Sequence, residues 1–205
     1  MPDGDVREKS EKSEKAARSR RGSRIEAMAA ATATIVSVAS FYVAVKQTSV
    51  QEKQLEASVW PALLYDTGDS DGEVTFSVKN AGVGPAKVRS LEVSFRGKPV
   101  TGGVQLLTEC CGLSEHRDFA GINLTFLDGR ILTAGQEIEF LKFTKPKDES
   151  EDPLWDKLEE VRFEVDGRVC FCSALDQCWT VGFHETEPAP LHDCTEAAKR
   201  TQYKN

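Results

Sequence analysis

The sequence lacks an excess of basic charge. Its 205 residues carry 26 Lys and Arg against 33 Asp and Glu, a formal net charge of -7. A nucleic-acid surface needs clustered excess base, so no nucleic-acid partner is expected. Catalytic signatures are missing too. There is no G-x-S-x-G elbow, and His184-Glu185 lacks the second histidine of H-E-x-x-H. Gly82-Val83-Gly84 has no third glycine at the dinucleotide spacing, and no Gly-Lys-Ser/Thr follows it. The expectation is therefore a non-enzyme without a cofactor. Long apolar runs are also scarce: with 40% hydrophobic and 29% charged residues, the chain is neither a polytopic membrane protein nor disordered throughout.

What is present is unevenly distributed. Residues 1–26 hold eight basic and six acidic side chains, and residues 60–205 hold 16 basic and 25 acidic. The block 1–24 is charged, low in complexity and almost free of apolar residues, so it reads as a disordered tail. Arg18, Arg20, Arg21 and Arg24 gather at its end.

Directly after them comes the one long uncharged stretch, Ala27 to Val45. At about 1.5 Å rise per residue its nineteen residues span roughly 28 Å, close to a hydrocarbon core of about 30 Å. Ile35, Val36, Val38, Phe41, Tyr42, Val43 and Val45 carry most of its hydrophobicity. A cleaved signal peptide would have a shorter apolar region and a shorter basic start. Its small-residue site, Ser37-Val38-Ala39, would fall inside the run rather than after it. A buried soluble helix would show polar positions at helical spacing. The reading is an uncleaved anchor within residues 25–59, continued by the helix-forming segment 46–59 and ended at Trp60-Pro61. The arginines before it place the N-terminus in the cytoplasm and residues 46–205 outside, in the periplasm of a Gram-negative cell.

From residue 60 to 184 the period changes from helical to two. Val74, Phe76 and Val78 form one apolar face, and Leu91, Val93 and Phe95 a second. Ile138, Glu139 and Phe140 follow Gly135, and Val161, Phe163 and Val165 suggest a further strand. Asp166-Gly167 is either a hairpin turn or a bulge. Pro153 to Glu160 is the one helical candidate. Acidic clusters at Asp66–Asp71 and Asp148–Asp152 read as solvated loops, and Asp69-Ser70-Asp71-Gly72 lacks a twelve-residue calcium loop. Residues 185–205 read as a loose tail, with Cys194 the one residue placed to tie it down.

The run from Val74 to Val93, with Asn80-Ala81-Gly82-Val83-Gly84-Pro85-Ala86 between two strands, resembles a signature of bacterial immunoglobulin-like domains. Residues 131–140 look like a later strand of such sandwiches. With the anchor, the Trp60-Pro61 junction and the late cysteine segment, the chain resembles bacterial single-pass membrane proteins carrying one such domain. That resemblance implies an immunoglobulin-like β-sandwich behind one transmembrane helix, and no activity. Apart from the resemblance, Asn80, Gly82, Gly84 and Pro85 read as a structural turn, with the two glycines permitting positive φ. Trp60 is expected as the first core residue of the outer domain.

Six cysteines, Cys110, Cys111, Cys170, Cys172, Cys178 and Cys194, all lie on the outer side. An even number in an oxidising compartment suggests disulfides. In residues 168–183, Val169 and Phe171 share one strand face and Cys170 and Cys172 the other. After the turn, Trp179, Val181 and Phe183 share a face opposite Cys178. If the apolar faces coincide, Phe171 meets Trp179 in the core, and Cys172 meets Cys178 on the outward face. Pairing among Cys110, Cys111, Cys170 and Cys194 stays open, with a bridge between the adjacent Cys110 and Cys111 disfavoured by ring strain. The spacing C-x-C-x5-C lacks the C-x2-C knuckles of zinc sites, and His184 and His192 read as surface. The functional expectation is a membrane-anchored interaction module with a protein partner. The alternative is a thiol-based periplasmic redox enzyme or sensor.

Overall fold

The computed structural model describes residues 4–114, 120–146 and 153–204. The Asp148–Asp152 cluster lies outside the described residues. The chain divides into two units, residues 1–54 and 55–205.

The described residues of the first unit, 4–54, belong to helix α1, Gly4–Ser58. The charged block expected to be disordered is helical from Gly4 onward. It holds five Arg, three Lys and three Glu, all good helix formers, and Glu8 and Glu11 each stand four residues before a lysine, the favourable helical spacing. Within α1, residues Met28–Ser58 are long and apolar enough to cross a membrane.

The second unit is mainly sheet. In chain order it contains β1 (Leu63–Ser70), β2 (Glu73–Asn80), β3 (Ala86–Phe95), β4 (Lys98–Val100), α2 (Gly103–Cys111), β5 (Ile122–Leu124), β6 (Ile131–Leu132) and β7 (Glu137–Thr144). Then follow α3 (Pro153–Val161), a 3-10 turn at Arg162–Glu164, β8 (Val165–Cys172), β9 (Cys178–Gly182), β10 (Ala189–Leu191) and α4 (Thr195–Ala198). All strand pairs are antiparallel. One sheet has the order β1-β2-β7-β5; the other runs β10-β9-β8-β3-β4, with β6 also paired to β3.

Both sheets feed one core. Val74, Phe76 and Val78 enter from β2 and Phe140 from β7, meeting Leu91, Val93, Val169 and Phe171 of the second sheet. Aromatic rings cross between them: Tyr65 stacks on Phe183 at 3.8 Å, and Phe140 meets Tyr203 edge-on at 5.5 Å. In β3 a register shift between Val88 and Ser90 inserts one extra residue. The bulge re-phases the strand, so Ala86 and Val88 point inward before it and Leu91, Val93 and Phe95 after it.

Several sequence expectations are corrected here. Asp66–Asp71 is not a loop: β1 occupies most of it, and Asp71-Gly72 (φ 54° and 75°) makes the tight turn into β2. Positive φ at both positions matches the right-handed twist of a two-residue hairpin. Val161 is not in a strand. Leu154, Leu158 and Val161 are buried at spacings of four and three, so α3 carries the apolar face through Val161. Phe163 is left 64% exposed in the 3-10 turn. Asp166-Gly167 is neither a hairpin turn nor a bulge, since Gly167 pairs in register with Val93 inside β8. Helix α2 was not anticipated. It buries Leu106 and Leu107 and ends at Gly112, whose left-handed conformation lets it and Leu113 bond back to Thr108 and Leu107. Finally, residues 185–205 are not a loose tail: they contribute β10, α4 and the buried Tyr203.

Candidate functional site

Two places in the second unit concentrate chemistry: the Asn80 turn and the cysteine face of the β8–β9 hairpin.

Asn80 is fully buried at the end of β2. Its Oδ1 accepts from the amides of Ala62 (3.2 Å) and Gly82 (3.0 Å). Its Nδ2 donates to the carbonyls of Gly84 (2.8 Å) and Leu132 (3.0 Å). One amide thus satisfies the segment entering the domain, the turn and β6. Gly82 and Gly84 are not among the positive-φ residues, contrary to the role read from sequence. They are glycines because of close approach. A Cβ on Gly82 would collide with the Ala62 backbone, and one on Gly84 with that of Val59. Pro85 then leads into β3. Trp60, expected in the core, is 43% exposed. Its carbonyl accepts from Val83 and Gly84 at 3.0 and 3.1 Å, so its backbone faces the turn while its ring lies outside. Leu63 is the first fully buried residue of the domain.

On the hairpin, β8 and β9 pair Val169 with Val181, Phe171 with Trp179 and Cys172 with Cys178. Phe171 is fully buried, and Trp179, partly buried, packs against the core. Cys172 and Cys178 are bonded, S–S 2.06 Å, and Cys170 bonds Cys194 at 2.10 Å. Cys110 and Cys111 also form a disulfide, the pairing that ring strain was expected to disfavour. They are the last two residues of α2, and their Cα atoms lie 3.8 Å apart. The other four cysteines occupy the strand face opposite the core and the strap above it, leaving these two to each other.

The sulfurs were expected on an open face. Instead all four are buried, Cys170 to 1% exposure. The cover is the C-terminal strap. Its β10 pairs Leu191 with Cys178 and Pro190 with Trp179, a proline tolerated because the strand is an edge. Ala197 of α4 packs on the cysteines. Beyond it, the Tyr203 amide donates to Leu91 (2.8 Å) and that of Lys204 to Thr101 (2.6 Å). The hairpin loop is held by Ser173 Oγ, which accepts from the amides of Leu175 and Gln177. Lys87 bonds Asp176 at 2.8 Å and lowers that carboxyl's pKa. Asp193, beside the strap disulfide, accepts from the Thr195 amide, and that bond is the main reason its pKa falls to about 2.

Two hollows flank the strap. One, of about 650 Å³, is polar and lined in part by Glu92, Arg168, Glu185 and Arg200. Its cations are engaged, Arg168 with Glu185 (2.8 Å) and Arg200 with Glu92 (3.1 Å). Burial raises the pKa of Glu92. The second, about 410 Å³, lies over the sulfurs and is lined by Arg89, Asp176 and Asp193 with Cys172, Cys178 and Cys194. His184 stands at the rim of the first hollow, 4.0 Å from Asp166, and His192 beside Asp193. Neither histidine belongs to the sulfur cluster, whereas Cys172, Cys178 and Cys194 have sulfurs within 4.8 Å of one another. Cys194, read from sequence as the tie of this segment, is bonded to Cys170, whereas β10, α4 and the buried Tyr203 were missed; Tyr203, a large aromatic in a polar segment, was their signal. No protein-family model matches the sequence, and no curated protein matches it either.

Proposed function

We propose that this protein is a membrane-anchored interaction module without catalytic activity, holding an immunoglobulin-like β-sandwich outside the cytoplasm for a protein partner. The observation that carries the reading is the surface of α1. Ile35, Val36, Val38, Phe41, Tyr42, Val43 and Val45 are each between 50% and 73% exposed. Such a row of apolar side chains around a long helix demands an apolar surrounding, and lipid supplies it. Arg18, Arg20, Arg21 and Arg24 before the apolar run, against Lys46 and Lys53 soon after it, favour a cytoplasmic N-terminus. Six cysteines joined in three disulfides accord with an oxidising compartment for the sheet unit. The two antiparallel sheets sharing one core support the sandwich reading.

Reporter fusions after Ser23 and after Lys204 test the topology. A periplasm-dependent reporter should be active only at the second site, on a chain that keeps its N-terminus. Activity in the reverse pattern, or a mature chain beginning near Ser40, would remove the anchor.

A further inference from the structure

We infer that Cys170, Cys172, Cys178 and Cys194 form, when reduced, a tetrathiolate site for one thiophilic divalent cation of the zinc class. In the structure they make two disulfides packed against each other. Cys172 Sγ lies 3.8 Å from Cys194 Sγ, although the two are not bonded to each other. With zinc–sulfur bonds of about 2.3 Å, the edge of a tetrahedron of thiolates is about 3.8 Å. The sulfurs of Cys172, Cys178 and Cys194 already fall within 4.8 Å of one another, and Cys170 Sγ is bonded to Cys194. Cys170 Sγ lies outside that group of three, so a tetrahedral set requires its side chain to turn toward Cys172 and Cys178 once its bond to Cys194 opens.

Four thiolates and a divalent ion leave a net charge of two minus, and the one cation among the described residues lining the hollow, Arg89, lies 3.8 Å from Asp176. Asp176 and Asp193 on the same hollow attract an incoming cation. C-x-C-x5-C taken alone argued against zinc; the fourth ligand comes from the strap, sixteen residues after Cys178, where spacing could not reveal it.

The chemistry balances. Two molecules of a dithiol each give two electrons and two protons to one disulfide and leave as their own disulfides. The four resulting thiols release their protons to solvent as the sulfurs bond the ion. The consequence is that the strap stays fastened in either redox state, by two disulfides or by one metal ion. The inference does not depend on the anchor reading.

The test reduces the full chain with a water-soluble phosphine, which adds no competing thiol, and removes the reductant under argon. Co2+ is then titrated in. One ion per chain should bind with the visible bands of tetrahedral thiolate cobalt, and Zn2+ should displace it. Alkylation of the zinc-loaded wild-type chain should spare Cys170, Cys172, Cys178 and Cys194 while Cys110 and Cys111 react. The bands should be lost in Cys172→Ser/Cys194→Ser and kept in Cys110→Ser/Cys111→Ser. Absence of the bands in the reduced wild type would overturn the inference. So would protection of Cys110 and Cys111 instead, a readout that needs no variant to fold.

Discussion

Replacing Asn80 with alanine removes four side-chain hydrogen bonds from a fully buried position. At about 1 kcal/mol net for each, that is about 4 kcal/mol. The Ala62 and Gly82 amides are then left in a buried place without their acceptor, which adds to the loss unless water enters. A destabilisation of about 3–5 kcal/mol is expected, read from urea denaturation of the oxidised full chain by tryptophan fluorescence. Asn80→Asp separates hydrogen bonding from size. Its Oδ1 keeps both acceptor bonds, but the ionised second oxygen faces the carbonyls of Gly84 and Leu132, which find no donor until that oxygen is protonated. The buried carboxyl must take up a proton, so its folded pKa lies above the unfolded one. The variant should therefore be weak at neutral pH and recover as pH falls through that raised pKa. A loss below about 1 kcal/mol for Asn80→Ala would refute the view that this side chain knits the turn together. So would Asn80→Asp matching the wild type at pH 7.

Removing disulfides should cost in order of the loops they close. Chain entropy gives about 3.5 kcal/mol for Cys170–Cys194, about 2.4 for Cys172–Cys178 and about 1.2 for Cys110–Cys111, measured by denaturing the paired serine variants. Gly84→Ala must displace the Val59 backbone and should cost about 1–3 kcal/mol by the same assay. Trp60→Ala, at an exposed ring, should stay within about 1 kcal/mol of wild type, whereas Phe171→Ala should lose about 3–5 kcal/mol. Lys142 bonds Glu73 across β2 and β7 and lowers its pKa, so this pair supports folding above pH 4.5 and fades as pH falls below it. Glu73→Gln should flatten the acid limb of a stability–pH profile there and, because Glu73 also raises the pKa of Lys142, flatten the alkaline limb above pH 10.5.

The sequence by itself determined what near neighbours settle. An uncharged run of helical length can be read residue by residue, and so can the alternating faces of Val74–Val78 and Leu91–Phe95. The hairpin register followed because matching the Val169–Phe171 face to the Trp179–Val181 face leaves a single pairing, and Cys172 then meets Cys178. Local rules also held hints left unread, such as Asp71-Gly72 as a hairpin turn and Gly112 as a helix end. Only the tertiary structure decided what depends on residues far apart in the chain. Gly82 and Gly84 look like flexible turn residues until Val59 and Ala62 pack against them. Trp60 looks like core until its carbonyl is claimed by the turn and its ring is left outside. Cys170 and Cys172 look like an outward face until a strap ending at Lys204 folds over them. Periodicity records which side chains of one strand point the same way. It does not record what covers them, because burial is a property of the segments that meet in space.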